Sequence, residues 1–237
     1  MWSCMVTRGS SRCSFLFCCA SAMPVAARSA SSIILLVLPL HEFAHGWVAR
    51  KCGDDTAEAA GRLTLNPLAH VDPFGAVLLL LTGFGWAKPV PINPARMNHP
   101  RKGIIWTSLA GPLSNLLAAL VGVVLMQIVF PFYYADPNAV LTGIYTLLYW
   151  FVAINISLAV FNLIPVPPLD GSKVLMMLLP YRQSVWLERN QRYLSLALWS
   201  LILVGVLSTP LSYLSNWIMH FFVWATQWIG TLGQMVM

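Results

Sequence analysis

Apolar stretches long enough to form membrane-spanning helices recur along most of the chain, with short polar turns between them. A helix needs about 20 residues to cross a hydrocarbon layer of ~30 Å. Candidate stretches lie at residues 30–49, 104–130, 139–163, 194–207 and 211–230. A further apolar run within residues 72–91 is interrupted by glycines and prolines, which favours a re-entrant segment or β-loop over a full crossing. The pattern predicts an all-α polytopic membrane protein with about five to six transmembrane helices and a re-entrant or β-loop segment after the first helix.

The composition agrees with residence in a membrane and differs from that of a soluble domain. Hydrophobic residues make up 58% of the 237 residues and charged residues only 9%, whereas a soluble domain carries about 25% charged residues. The net charge of +6 is spread over short loops without a basic stripe, so nucleic acid is not a predicted partner. The five cysteines lack the spacing of a metal site and are predicted to be free thiols.

The basic residues indicate which loops face the cytoplasm, because cytoplasmic loops of membrane proteins are enriched in Lys and Arg. Residues 88–102 contain four basic residues and no acidic one, and residues 173–192 contain four basic residues against one acidic residue. Both loops, together with residues 50–62, are predicted to be cytoplasmic. Residues 72–91 then enter and leave the membrane by the same face.

Residues 1–29 differ from the rest of the chain and are predicted to be an extension, followed by one membrane-embedded domain at residues 30–237. Their arginines, small residues and single apolar patch fit either a signal-like leader or an over-long gene start with Met23 as the true beginning. The apolar patch is shorter than the ~7–15 residues of a usual leader, which weighs against the first alternative.

His41, Glu42 and His45 form an H-E-x-x-H sequence near the end of the first apolar stretch. Four helical residues make about 400° of rotation and ~6 Å of rise, so both imidazoles project from one helix face and can meet one metal ion. Glu42 lies on the flank of that face, where it can act as a general base on water without binding the metal. An ionisable group at membrane depth costs at least ~3 kcal/mol, which favours a polar cavity over an incidental surface motif.

A catalytic zinc site usually has three protein ligands and one open position, so the two histidines predict a third ligand elsewhere. Asp170 is the best candidate because it follows another apolar helix on a Pro-rich segment that cannot form regular helix. Gly171 is predicted to permit a sharp turn there. The alternative is that Asp170 caps a helix that begins near Ser172. The other acidic residues are worse placed, since a solvated loop is predicted for Asp54, Asp55 and Glu58, the opposite membrane face for Asp136, and a basic segment for Glu188.

These motifs resemble those of the site-2 proteases, the intramembrane zinc metallopeptidases of peptidase family M50. Members carry H-E-x-x-H in one helix and a later N-x-x-P-x-P-x-L-D-G. The chain has HEFAH and NLIPVPPLDG, and between them GRLTLNPLAHVDPFG, FGWAKPVPINP and LAGPLSNLL. The order is similar to that in compact members without PDZ or CBS domains, and the resemblance covers about residues 33–232.

The resemblance implies a zinc metalloendopeptidase that hydrolyses peptide bonds within or near transmembrane segments of membrane proteins. It implies one Zn²⁺ bound by His41, His45 and Asp170, with Glu42 as acid and base. The implied partners are a transmembrane protein or peptide substrate and membrane lipid. The implied location is the cell membrane, with the active site open toward the cytoplasm.

The resemblance also implies roles for polar residues outside the ligand set. Asn162, and less directly Asn115, would contact substrate or the developing oxyanion, and an interhelical hydrogen bond is the alternative for each. His70 and Asp72 match a motif of compact members to which no role is assigned here, and an interfacial loop is the expectation for them. The segment GFGWAKPVPI is expected to be an extended loop that pairs with an unwound substrate strand.

Two functions of other classes remain as alternatives at this stage. A membrane metal transporter would also bury His and Asp, although transport favours ligands repeated across several helices. A non-catalytic membrane scaffold descended from peptidases is the second alternative, although all four residues that the chemistry requires are present.

Overall fold

The computed structural model describes residues 24–70, 72 and 88–236. In chain order the elements are α1 (Pro24–Lys51), α2 (Thr56–Ala59), α3 (Pro67–His70), a 3₁₀ turn (Pro94–Arg96), α4 (Pro100–Ala135), α5 (Ala139–Asn162), α6 (Asp170–Leu178), α7 (Tyr181–Arg189), α8 (Gln191–Leu203) and α9 (Ser208–Val236). The described part of the chain contains helices and loops and no β-strand, in agreement with the all-α prediction.

The long helices begin and end where the sequence provides signals for it. Pro100 opens α4, where a missing backbone N–H costs nothing because the first helical amides have no partner in the helix. Asn138 caps α5, since its side chain accepts a hydrogen bond from the amide of Leu141 at 2.9 Å. The predicted apolar stretches therefore match α1, α4, α5 and α9 closely.

The structure contains two helices that are long and apolar enough to cross a membrane, α4 and α5, among the described residues. A third span results if α8 and the Ser208–Thr231 part of α9, which meet at an angle of 81°, are counted as one broken crossing. Helix α8 by itself has 13 residues and reaches only about 20 Å, too short for a ~30 Å layer. The predicted re-entrant segment at residues 72–91 lies mostly outside the described residues, as do residues 1–23 of the predicted extension.

Helix α4 is the centre of the fold, because α1, α5, α6 and α9 all pack against it. The core between α4, α5 and α9 is apolar and includes the buried residues Ala119, Val123, Met126, Val152, Ile156 and Val160. On the other side of α4, Leu117, Val121 and Leu125 repeat at every fourth position and are exposed. An exposed apolar stripe of this length fits contact with lipid.

The segment of residues 88–98, called the 88–98 segment below, lies against the C-terminal end of α1. The amide of Asn98 donates to the carbonyl of Cys52 at 2.9 Å, and the amide of Asn93 donates to the carboxylate of Asp54 at 2.6 Å. Asp54 is fully buried, so the prediction that it lies in a solvated loop is wrong. These contacts bring the 88–98 segment beside the H-E-x-x-H sequence.

Candidate metal centre

His41, His45 and Asp170 converge in a buried group at the junction of α1, α4 and α6. The Nε2 atoms of the two histidines lie 3.0 Å apart. Oδ2 of Asp170 lies 3.3 Å from Nε2 of His41 and 3.1 Å from Nε2 of His45. The imidazoles stand almost perpendicular to each other, at an interplanar angle of 84°. The four-residue spacing on α1 thus places both rings on one face, as predicted, and α6 brings a carboxylate oxygen to that face.

One face of α4 carries the partners of the remaining imidazole nitrogens. Nδ1 of His45 lies 2.6 Å from the carbonyl oxygen of Thr107, and Nδ1 of His41 lies 3.0 Å from Nδ2 of Asn115. A carbonyl can only accept, so His45 carries its proton on Nδ1 and leaves the lone pair of Nε2 directed toward His41 and Asp170. Backbone carbonyls are common partners of metal-binding histidines for this reason.

Gly111 lies between Thr107 and Asn115 on the same face of α4, and its lack of a side chain gives the imidazoles their room. A Cβ atom at this position would lie 2.6 Å from Nε2 of His41 and closer still to Nε2 of His45. Real Cβ atoms do not approach other atoms this closely. Position 111 therefore admits glycine alone if the rings are to keep their places.

Asp170 is the first residue of α6, and its side chain does not cap that helix. Leu169 occupies the cap position without a side-chain hydrogen bond. Oδ2 of Asp170 faces the two imidazoles, while Oδ1 accepts a hydrogen bond from Nζ of Lys173 at 3.0 Å. The capping alternative for Asp170 is thereby wrong.

Gly171 is required for a different reason than the predicted sharp turn. It lies inside α6, and a Cβ atom there would lie 2.7 Å from the carbonyl oxygen of Ile164 and closer to that of Leu163. The prediction of a turn at this position is wrong, because the helix begins at Asp170, two residues earlier than expected. The missing side chain instead lets α6 approach the backbone that follows α5.

The three ligand atoms fit a zinc ion in both type and spacing. Zinc prefers nitrogen and oxygen ligands at about 2.0–2.2 Å in tetrahedral geometry, which places neighbouring ligand atoms about 3.3–3.5 Å apart. The observed separations of 3.0 Å, 3.1 Å and 3.3 Å are close to that range. Two neutral imidazoles and one carboxylate are also a donor set that leaves a fourth position open.

Glu42 projects from α1 next to His41 and is held by the 88–98 segment. Its Oε2 atom accepts a hydrogen bond from the amide of Val90 at 3.0 Å. Val90 is buried, and its side chain packs near Gly46, one helical turn beyond Glu42. Glu42, the predicted general base, thus has a backbone donor as partner that side-chain patterns in the sequence do not reveal.

The two predicted asparagines lie in different surroundings. Asn115 is fully buried and forms the interhelical contact with His41, which is the alternative considered for it. Asn162 is half-buried, and its amide donates to the carbonyl of Leu158 within α5. No described donor or acceptor links Asn162 to the ligand group. His70 is buried in α3, with its Nε2 atom 2.7 Å from the carbonyl oxygen of Thr64.

Comparisons with known proteins agree with this geometry. A model of peptidase family M50 matches residues 125–206. The chain is 42% identical over 147 residues to "Putative zinc metalloprotease YwhC" of Bacillus subtilis, across 62% of this chain and 67% of that protein. It belongs to peptidase family M50. This M50 peptidase is also 31% identical over 210 residues to "Putative zinc metalloprotease Rip2" of Mycolicibacterium smegmatis, across 85% of its own length and 74% of the relative.

The family assignment extends over both parts of the candidate centre. A match that covers 85% of 237 residues necessarily includes the stretch from His41 to Asp170. An archaeal relative, "Putative zinc metalloprotease MJ0611" of Methanocaldococcus jannaschii, is 36% identical over 141 residues, which is 57% of this M50 peptidase and 62% of that protein. No solved structure matches the chain.

The protein is therefore an intramembrane zinc metalloprotease of the site-2 protease family. Its cofactor is Zn²⁺. Within the described part of the chain, His41, His45 and Asp170 form one group that could hold a metal ion. The transporter and scaffold alternatives are not favoured by the family or by its relatives.

Proposed function

We propose that His41, His45 and Asp170 hold the catalytic zinc and that Glu42 transfers the proton during peptide hydrolysis. The observation that carries this proposal is the convergence of three ligand atoms within 3.3 Å of one another from positions as far apart as 129 residues in the chain. A buried carboxylate beside two buried imidazoles has a high desolvation cost unless its charge is compensated. A divalent cation supplies that compensation.

The residues divide the chemistry between them. When bound, zinc supplies Lewis-acid activation of a water molecule and of the scissile carbonyl. Glu42 accepts a proton from water as the water oxygen adds to the scissile carbonyl carbon, and it then delivers this proton to the amine nitrogen as the C–N bond breaks and the carboxylic acid is released. The amide of Val90 occupies Oε2 of Glu42, which leaves Oε1 for the transferred proton.

Asn115 is proposed to orient His41 rather than to contact substrate. A histidine that binds metal through Nε2 carries its proton on Nδ1 and needs an acceptor there. Oδ1 of Asn115 is buried and has no partner among the described residues, and a half-turn of the amide brings it to Nδ1 of His41. Asn162 stays the proposed contact for substrate or oxyanion, supported by its place at the end of α5 beside the Pro-rich segment.

The proposed substrate is a transmembrane protein or peptide that is cleaved within or near its membrane segment. The proposed setting is a multi-pass membrane domain at residues 30–237 with five to six transmembrane helices and a re-entrant segment at residues 72–91. Support comes from the exposed apolar stripe on α4 and from the basic loop at residues 88–102, which favours a cytoplasmic opening. The segment GFGWAKPVPI is proposed to pair with the unwound substrate.

The experiment that tests this proposal compares Glu42→Gln with His45→Ala in purified protein in proteoliposomes. Zinc content and the rate of cleavage of a reporter with one transmembrane segment are measured for each. Glu42→Gln should keep one zinc per chain and lower the cleavage rate by roughly 10³-fold or more, because the base is lost while the ligands stay. His45→Ala should lose both zinc and cleavage.

Glu58→Gln provides a matched control. Glu58 is exposed and pairs with Arg50 at 2.9 Å, so the same substitution there should leave zinc and cleavage unchanged. Zinc binding that survives His45→Ala and Asp170→Ala would contradict the ligand assignment. Cleavage at the wild-type rate by Glu42→Gln would contradict the role of the base, and metal flux without cleavage would favour a transporter.

A further inference from the structure

The 88–98 segment is attached to α1 and to the turn that follows α1 by two carboxylates that accept hydrogen bonds from its backbone. Glu42 accepts from the amide of Val90 at 3.0 Å, and Asp54 accepts from the amide of Asn93 at 2.6 Å. The first carboxylate is the proposed general base. The second lies twelve residues further along the chain, outside the ligand group.

Asp54 uses both of its oxygens, and all its partners are donors. Oδ1 accepts from the amide of Thr56 at 3.0 Å and from the hydroxyl of the same residue, while Oδ2 accepts from the amide of Asn93. Burial by itself would raise the pKa of Asp54, but these hydrogen bonds outweigh it and hold the pKa below its ordinary value. Asp54 therefore stays ionised and fully buried, although nothing in the proposed chemistry uses it.

The chain between the two attachment points is stiff. Pro89 and Pro91 flank Val90, and a proline both fixes its own φ near −65° and restricts the residue before it to extended conformations. The 3₁₀ turn begins at Pro94, directly after Asn93. Ile92 is the one residue between Val90 and Asn93 that no proline restricts, so much of a displacement at Asn93 is passed to Val90.

We propose that Asp54 is a positioning residue for Glu42: it fixes Asn93 and so holds the Val90 amide where it orients the carboxylate of the base. The inference rests on the proposed role of Glu42 as general base. Asp54 lies outside the ligand group, so its loss should change the rate of the chemical step and not zinc binding. A purely structural role of Asp54 would instead lower stability and zinc content together.

The neighbouring acidic residue offers a matched control. Asp55 is exposed and forms an ion pair with Arg96 at the surface, where such pairs contribute little. Asp54→Asn replaces one acceptor oxygen by a donor group, which must then face an N–H or O–H donor. Asp55→Asn makes the same chemical change without burying a mismatched donor.

The test is a double-mutant cycle in the full-length protein in proteoliposomes. The variants are Asp54→Asn, Val90→Pro, which removes the N–H donor, and their combination. Asp55→Asn is the control for Asp54→Asn, and Val90→Ala, which shortens the buried side chain but keeps the N–H, is the comparison for Val90→Pro. Three quantities are measured: kcat and KM for a reporter with one transmembrane segment, zinc content, and hydrogen–deuterium exchange of peptides that cover residues 88–98.

The expected result is a fall in kcat of roughly 10- to 100-fold for Asp54→Asn at unchanged zinc content, since a misplacement of about 1 Å at a reacting group has an effect of this size. The 88–98 segment should exchange faster. The combined variant should be no slower than Val90→Pro alone, because both changes interrupt one chain of contacts. Asp55→Asn should stay close to wild type, and Val90→Ala, which keeps the amide that Glu42 accepts from, should lose less kcat than Val90→Pro.

Three outcomes would overturn the inference: wild-type kcat in Asp54→Asn, multiplicative losses in the combined variant, or loss of zinc in Asp54→Asn, which would assign Asp54 to folding of the centre. Failure of the proposed function is recognised separately, because Glu42→Gln would then cleave normally. In that case faster exchange at residues 88–98 in Asp54→Asn would still show that Asp54 fixes the segment, but the link to the base would be rejected.

Discussion

Helix α4 and the 88–98 segment both lie against the H-E-x-x-H helix, but they hold its side chains by different means. Helix α4 presents Thr107, Gly111 and Asn115 at four-residue intervals to the two imidazoles. The 88–98 segment reaches Glu42 through a single amide. The ligands are thus fixed by close packing of helices, whereas the base is fixed by a few hydrogen bonds from a loop. Substitutions that change side-chain volume on α4 should therefore alter zinc affinity. Substitutions that remove hydrogen bonds of the 88–98 segment should alter the cleavage rate.

The largest effect on the helical side is expected for Gly111→Ala. The added Cβ atom overlaps with both Nε2 positions, so the imidazoles must move out of the geometry that zinc requires. We expect zinc affinity to fall by roughly 100-fold or more, measured by competition with a chelator in the Glu42→Gln background. Gly143→Ala on α5 is the control, because a Cβ atom there meets nothing within 4 Å. Normal zinc affinity in Gly111→Ala would show that the α4 face does not define the centre.

An intermediate effect is expected for Asn115→Leu, which keeps the approximate volume and removes the hydrogen bond to His41. Loss of an outer partner of a metal-binding histidine typically lowers metal affinity about 10- to 100-fold. Asn115→Asp keeps an acceptor and should retain more of the affinity than Asn115→Leu does. The same competition assay measures both variants. Equal losses in the two would indicate that Asn115 acts by filling space rather than by accepting a hydrogen bond from His41.

The smallest effect is expected for Lys173→Met. The ion pair between Lys173 and Asp170 has a buried carboxylate but a lysine that is 48% exposed, so solvent screens much of its contribution. Zinc affinity and cleavage rate should each change by less than about fivefold. Arg189→Met, on the exposed side of α7, is the control for loss of a surface charge. A loss of zinc affinity as large as that of Asn115→Leu would show that Lys173 contributes to the zinc site as much as Asn115 does.

The residues with a local sequence signature were predictable. His41, Glu42 and His45 are set by helix periodicity alone, and Asp170 was selected because it follows an apolar helix on a Pro-rich segment. The places of α4 and α5 followed from apolar length, although α4 begins four residues before and ends five residues after the predicted stretch at residues 104–130. The family of the protein was recognisable from the same motifs.

The remaining contributions to the site come mostly from the backbone, which leaves no trace in side-chain patterns. The carbonyl of Thr107 and the amide of Val90 are available in any sequence, and only the tertiary fold selects them. Asp54 was misassigned because Asp55 and Glu58 follow it in a charged stretch. Its burial depends on the docking of the 88–98 segment, which is a long-range contact. The signs of the α4 face that the sequence offered were Asn115 and Gly111, which lies four residues from both Thr107 and Asn115.

The prolines on either side of Val90 also determine which backbone hydrogen bonds a docked polypeptide could form along residues 89–91. In an extended chain the N–H and C=O groups of alternate residues point to opposite edges, so the edge away from Glu42 carries the carbonyls of Pro89 and Pro91 and no amide. A partner strand on that edge can only donate hydrogen bonds to these carbonyls. If the substrate pairs with this edge as proposed, the main chain itself selects against an N-methylated or proline residue opposite these carbonyls, whatever the side chains of the substrate.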